Sequence, residues 1–147
     1  MTIIRIGGIA LGVLLVIAQV FQIDMTNPPV VADVGASGQV KEAMKRSCYG
    51  CHSNETVWPW YSNVAPASWL VAYDVHQGRA AVNFSSWRRY TAAQRLKMLK
   101  EINEEIADGA MPPFYYVYPM HLDARLSVAD QRAFKQWITS ESANLTQ

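Results

Sequence analysis

Apolar residues recur at helical spacing through most of this chain, and nowhere do they hold the two-residue alternation of a strand. The pattern opens with an apolar run from Ile6 to Ile23, broken only by Gln19 and Gln22 and preceded by one charge, Arg5. As helix, that run would span about 27 Å, close to the ~30 Å of a bilayer's hydrocarbon core. Around Ala18-Gln19-Val20 it lacks a good cleavage signal, so it predicts an uncleaved anchor. Arg5 favours a cytoplasmic N-terminus. Residues 24–38, "DMTNPPVVADVGASG", carry two prolines and two glycines with no helical period, and predict an extended linker. Val40, Ala43, Met44 and Ser47 then fall on one face of a short helix that ends at Cys48. Residues 53–66 predict a loop, Ala67 to about Gln77 a helix stopped by Gly78, and residues 82–90, "VNFSSWRRY", another loop. From Thr91 the stripe Leu96, Leu99, Ile102 and Ile106 predicts a helix ended by Gly109. After a proline- and aromatic-rich loop, Ser127 with Asp130 at N3 starts a last helix to about Ser140, whose inner face is Ala133, Phe134, Trp137 and Ile138. The fold class is all-α, divided as an anchor at 1–24, a linker at 25–38 and a helical domain at 39–147.

A length of 147 residues suits one domain, and a formal net charge of +1 gives no bulk case for nucleic-acid binding. The charge is unevenly spread. Residues 39–100 hold nine Lys and Arg against three Asp and Glu, and residues 101–147 hold three against seven. Two solvated helix faces would explain this. The sharper expectation is a basic docking face of Lys41, Lys45, Arg46, Arg79, Arg88 and Arg89 that steers an acidic partner.

The chain's two cysteines lie in one five-residue stretch, Cys48-Tyr49-Gly50-Cys51-His52. A C-x-x-C pair serves as a redox dithiol, as half of a zinc site, or as the attachment point of a c-type haem. A redox dithiol belongs at a helix start after a strand, and no strand pattern precedes Cys48. Zinc needs further ligands, and no second C-x-x-C or H-x-x-x-H is present. Haem attachment uses the whole stretch: two thioethers form on Cys48 and Cys51, and His52 is placed to ligate the iron. Haem propionates would also give a partner to a buried indole such as Trp58 or Trp60, although core packing explains those residues equally well. Arg79, Arg88 or Arg89 would neutralise the propionate charge.

Together, Cys48/Cys51/His52, the segment Gly109-Ala110-Met111-Pro112-Pro113-Phe114 and the helix from Ser127 through Trp137 resemble a class I c-type cytochrome over roughly residues 38–140. The chain is also similar to a narrower group, membrane-anchored bacterial haem-binding domain proteins, in "TNPPV" (26–30), "WPWYSNVAP" (58–66), "GR" then "NFSSW" (78–87) and "MPPFYY…H" (111–121). The resemblance implies one covalent haem c with His52 as proximal ligand. It implies Met111 as distal ligand, with His121, Met120 and His76 as alternatives, and Pro66 as the carbonyl that holds the other His52 ring nitrogen, with Pro59 as runner-up. About sixteen residues separate Met111 from Ser127, more than in compact members of the family, which leaves room for a different distal arrangement.

The expected function is that of a monohaem electron carrier tethered to the bacterial inner membrane, its haem domain in the periplasm, exchanging electrons with protein redox partners. Alternatives are a haem-based sensor or peroxidase-like enzyme with a labile distal site, and a haem-binding subunit of a larger complex. No Ser/His/Asp set, paired carboxylates or phosphate loop supports catalysis without the haem.

Overall fold

A computed structural model describes residues 2–21 and 23–147. Among these residues it contains helices and helical turns and no strand. The helices are α1 (Thr2–Ala18), α2 (Gly38–Ser47), α3 (Tyr49–His52), α4 (Ala67–Ala81), α5 (Ala92–Ala107), α6 (Phe114–Val117) and α7 (Val128–Leu145). Tight 3-10 turns cover Trp60–Asn63, Phe84–Arg89 and Leu122–Ala124.

The caps follow from sequence chemistry. Thr91 and Gln94 form a reciprocal capping box at the start of α5, and Ser127 and Asp130 form another at α7. Gly109, at φ +70°, ends α5 in the left-handed conformation that favours glycine. α7 continues past the expected Ser140 to Leu145.

Helices α2 and α7 pack against one another, as do α5 and α7. Between them Met44, Phe84, Trp87, Leu99 and Phe134 are fully buried. Asp130 ties the first pair together. It caps α7 and also accepts from Arg46 at 2.9 Å and from Gln39 at 3.3 Å. Phe84 and Trp87 come from the segment read as a loop. The hydrophobic period misses them because a 3-10 turn, kinked at Ser86, turns both rings inward.

The segment at 25–37 has no regular secondary structure but is not a free tether. Val31 and Ala32 donate backbone hydrogen bonds to the Ser85 carbonyl, and Val34 donates to the Phe84 carbonyl. Val34 is fully buried in the core. Apolar pairing with the 84–89 turn thus makes the strap part of the domain.

The expected anchor differs from the observed helix. α1 stops at Ala18, a length of about 26 Å. Among the described residues no helix is long and apolar enough to cross a membrane. The amide of Gln19 bridges the end of α1 to the Ala65 backbone, with Nε2 donating to the Leu15 carbonyl at 2.8 Å. Its Oε1 accepts from the Ala65 N–H at 3.0 Å, and its Nε2 donates to the Ala65 carbonyl at 3.1 Å. Met1 and Gln22, both inside the expected 1–24 anchor, lie outside the described residues.

Candidate functional site

The Cys-x-x-Cys-His stretch sits at a break between two helices. Cys48 closes α2 and opens α3, and His52 is the last residue of that single turn. Both thiols are free and half-buried. Burial, then the neighbouring Cys51, pushes the Cys48 thiol up to about 12. Burial, then the Asp74 carboxylate, pushes Cys51 up to about 11. A redox dithiol works through a thiolate with a depressed pKa, so this environment opposes that chemistry. Among the described residues no group of three or more His, Cys, Asp or Glu side chains could hold a metal ion, which leaves zinc without a ligand set.

His52 is oriented from behind. Its Nδ1 lies 3.2 Å from the Val82 carbonyl, and its ring tilts against Phe84 at 6.3 Å. An Nδ1–H donated to that carbonyl leaves Nε2 with its lone pair, the arrangement of a metal-ligating imidazole. Burial holds the His52 pKa below its ordinary value, partly opposed by the Val82 and Gly78 carbonyls, a direction that favours the neutral ring a ligand needs. Pro66, expected to supply this carbonyl, instead starts α4, where its oxygen accepts from the Trp69 N–H at 3.1 Å. The Pro59 carbonyl is likewise taken, by the Ser62 N–H at 2.9 Å. Val82 follows α4, and a helix end delivers its carbonyl to a point no sequence period marks.

Gly78 explains how α4 can lie so close. It is inside α4, not beyond its end as its identity suggested. A Cβ there would stand 2.7 Å from the Cys51 carbonyl oxygen. The sequence signal was available: glycine inside a helix costs about 1 kcal/mol, so it needs a packing reason. Gly78→Ala is expected to push α4 off the motif and destabilise the protein by about 1–3 kcal/mol. A lowered Tm together with reduced haem loading would show this, whereas unchanged values would mean that α3 gives way freely.

The loop after the motif is stitched down. Ser53 Oγ donates to the Tyr49 carbonyl at 2.8 Å, Thr56 Oγ1 donates to the Gly50 carbonyl at 2.9 Å, and the Asn54 N–H reaches Ser85 Oγ at 2.9 Å. Arg79 is the main clamp. It donates to the Ser53 carbonyl at 2.8 Å, the Thr26 carbonyl at 3.1 Å, Asn27 Oδ1 at 2.7 Å and Thr56 Oγ1 at 3.0 Å. Four of its five N–H donors are engaged in this way, and its guanidinium fastens the strap to the loop. Lys41 is paired with Asp33 and Tyr49, and Arg46 with Asp130. Lys45, Arg88 and Arg89 of the expected basic face remain exposed.

A cleft opens beside Cys51, lined by Val71, Asp74 and Val75 of α4 and by Tyr61, Tyr116 and His121. Tyr61 Oη lies 2.5 Å from His121 Nε2, and Tyr116 stacks on the His121 ring at 4.3 Å and 12°. Tyr61 stands among the aromatic residues of the loop at 53–66, where a buried phenol needs a polar partner, whereas no periodic signal marks Tyr116. Met111 does not line this cleft. It is 39% exposed on the turn after α5, where its N–H is fixed to the Glu105 carbonyl at 3.2 Å. Met120 is exposed nearby. His76 lies elsewhere, exposed in a polar depression with Asp24, Arg79 and Arg89. Trp60 is exposed on its turn.

Trp58 bears on which group the site holds. Its Nε1–H is buried with no hydrogen-bond partner among the described residues. An unpaired buried donor costs about 1–3 kcal/mol, and an anionic group such as a propionate would remove that cost. Two free thiols one turn apart and an imidazole braced at Nδ1 fit a haem.

A family model described as a haem-binding domain matches residues 13–140. Neither the curated proteins nor the solved structures contain a match.

Proposed function

The chain belongs to the haem-binding domain family, and from that premise we propose that it is a c-type electron carrier held at a membrane, with one haem bonded to Cys48 and Cys51. The observation that carries this reading is the brace from His52 Nδ1 to the Val82 carbonyl at 3.2 Å, next to two unpaired thiols. When bound, the haem supplies a reversible one-electron iron couple. The protein's own residues orient His52, favour its neutral form, and keep the thiols together on one turn.

Met111 is the proposed distal ligand. Its sulfur is exposed on a turn anchored at the end of α5, whereas His121 Nε2 is engaged by Tyr61. Ligation requires the Met111 turn to close over the iron. A second reading, a sensor or enzyme with a labile distal site, has the polar Tyr61–His121 pair beside Cys51 in its favour.

α1 supports the membrane tether, because its large apolar side chains from Ile3 to Ile17 are exposed and need an apolar solvent. With its N-terminal end on the cytoplasmic side, it would place the haem domain at the outer surface of a bacterial inner membrane, in the compartment where haem is attached covalently. The partners are redox proteins, and the exposed Lys45, Arg88 and Arg89 suit an acidic docking site.

The absorption spectrum of the purified haem-loaded chain tests the choice. Six-coordinate low-spin spectra in both oxidation states, with slow CO binding, are expected of the carrier. A high-spin ferrous form that binds CO rapidly would support the labile-site reading instead.

A further inference from the structure

The stretch from Val57 to Tyr73 contains no charged residue but does contain three tryptophans and two tyrosines. Such a stretch would ordinarily be core. Here much of it faces outward: Trp60 is 70%, Leu70 53% and Tyr73 59% exposed, and Val64 and Trp69 are exposed beside them. Trp69, Leu70 and Tyr73 share the outer face of α4, since positions i, i+1 and i+4 lie on one side of a helix.

The location of this face decides what covers it. The chain leaving α1 is fastened to it at two points. Gln19 exchanges two hydrogen bonds with Ala65, and Trp69 Nε1 donates to the Phe21 carbonyl at 2.6 Å. The exposed aromatic face therefore begins where the exposed apolar helix ends. Tryptophan and tyrosine concentrate at the boundary between hydrocarbon and water, where an apolar ring and a polar N–H or O–H are both satisfied. A charge-free patch continuous with an apolar helix matches that boundary better than it matches a protein partner, whose rim would carry polar and charged groups.

We propose that the face formed by Trp60, Val64, Trp69, Leu70 and Tyr73 lies in the headgroup–acyl boundary of the bilayer that holds α1, and that it fixes the orientation of the haem domain. This inference rests on the membrane reading above. The opposite side of α4 carries Val71, Asp74 and Val75, which line the Cys51 cleft. One helix thus separates lipid from the cofactor cleft, a distance of about 10 Å. The Cys51 cleft would be held just above the membrane surface, near reductants or oxidants within it.

The experiment uses the full haem-loaded chain in phosphatidylethanolamine/phosphatidylglycerol vesicles containing a phospholipid with a diazirine near the glycerol end of its acyl chain. After illumination, labelled peptides are mapped by mass spectrometry. Label is expected in α1 and in the 57–73 segment. The double variant Leu70→Ser/Tyr73→Ser is expected to lose most label from that segment, several-fold at least, while keeping label in α1 and its haem spectrum. Label confined to α1 overturns this inference and leaves the tether standing. If, in addition, the chain sediments as a dimer in detergent, a second copy covers the face instead. No label in either region overturns the tether and the inference with it.

Discussion

The double variant Cys48→Ser/Cys51→Ser is expected to yield no haem-staining band on a denaturing gel and little folded domain. The first effect follows from chemistry, since serine forms no thioether with a vinyl group. The second follows from the economy of the fold. α3 and α6 have four residues each, far below the length at which a helix holds its own in water. The loop at 53–66 and the segment at 110–126 contain mostly single turns. Several buried polar groups, the Trp58 N–H among them, have no partner among the described residues. A haem buries more apolar area than any side chain, each of which contributes roughly 1.5–3 kcal/mol, and total domain stability is only about 5–15 kcal/mol. Losing the haem should therefore remove most of the margin. Circular dichroism melts of the variant and the wild type read the stability directly. A variant that still carries haem through denaturation, or that melts at the wild-type temperature, would overturn the covalent, core-forming role.

The sequence made some parts of this molecule legible and hid others for physical reasons. Capping chemistry and hydrophobic period are local, so α2, α5 and the start of α7 could be read from Val40/Met44, the Leu96–Ile106 stripe and Ser127/Asp130. The Cys-x-x-Cys-His stretch was legible for the same reason, because its spacing is local. What stayed hidden depends on tertiary encounters. The Val82 carbonyl reaches His52 across thirty positions of sequence because α4 ends there, and any residue has a carbonyl. Gly78 resembled a stop signal, yet its role is to let α4 lie against Cys51. Phe84 and Trp87 belong to a 3-10 turn with no amphipathic period. Pro28 and Pro29 signalled a break from helix, but that does not say whether a strap is free or packed. Only the buried Val34 and the hydrogen bonds to the 84–85 backbone decide that. Arg79 illustrates the limit for charge: a cation near a haem motif suggests an anionic partner, whereas here its donors fasten two loops.

Met111→Ala is expected to abolish the weak far-red sulfur-to-iron absorption, open the iron to CO, and lower the reduction potential by on the order of 0.1–0.3 V, within the ~0.8 V range that axial ligation covers. A thioether favours ferrous iron, and its loss leaves water or an open position that does not. His121→Ala is expected to keep the low-spin spectrum, with only a small shift in potential, because its Nε2 is engaged by Tyr61 at 2.5 Å. The geometry also supplies the rival outcome. His121 lines the cleft with Cys51, whereas Met111 stands outside it on the turn after α5. If haem insertion breaks the Tyr61 contact, the imidazole could turn to the iron. In that case the His121 variant, and not the Met111 variant, becomes high-spin and binds CO. The two results carry opposite physiological consequences. His–Met ligation gives a high potential, suited to delivering electrons to a strong oxidant. Bis-histidine ligation gives a low one, suited to accepting them from a quinol-side donor. Spectra and potentials of the two single variants therefore fix both the ligand and the direction of electron flow.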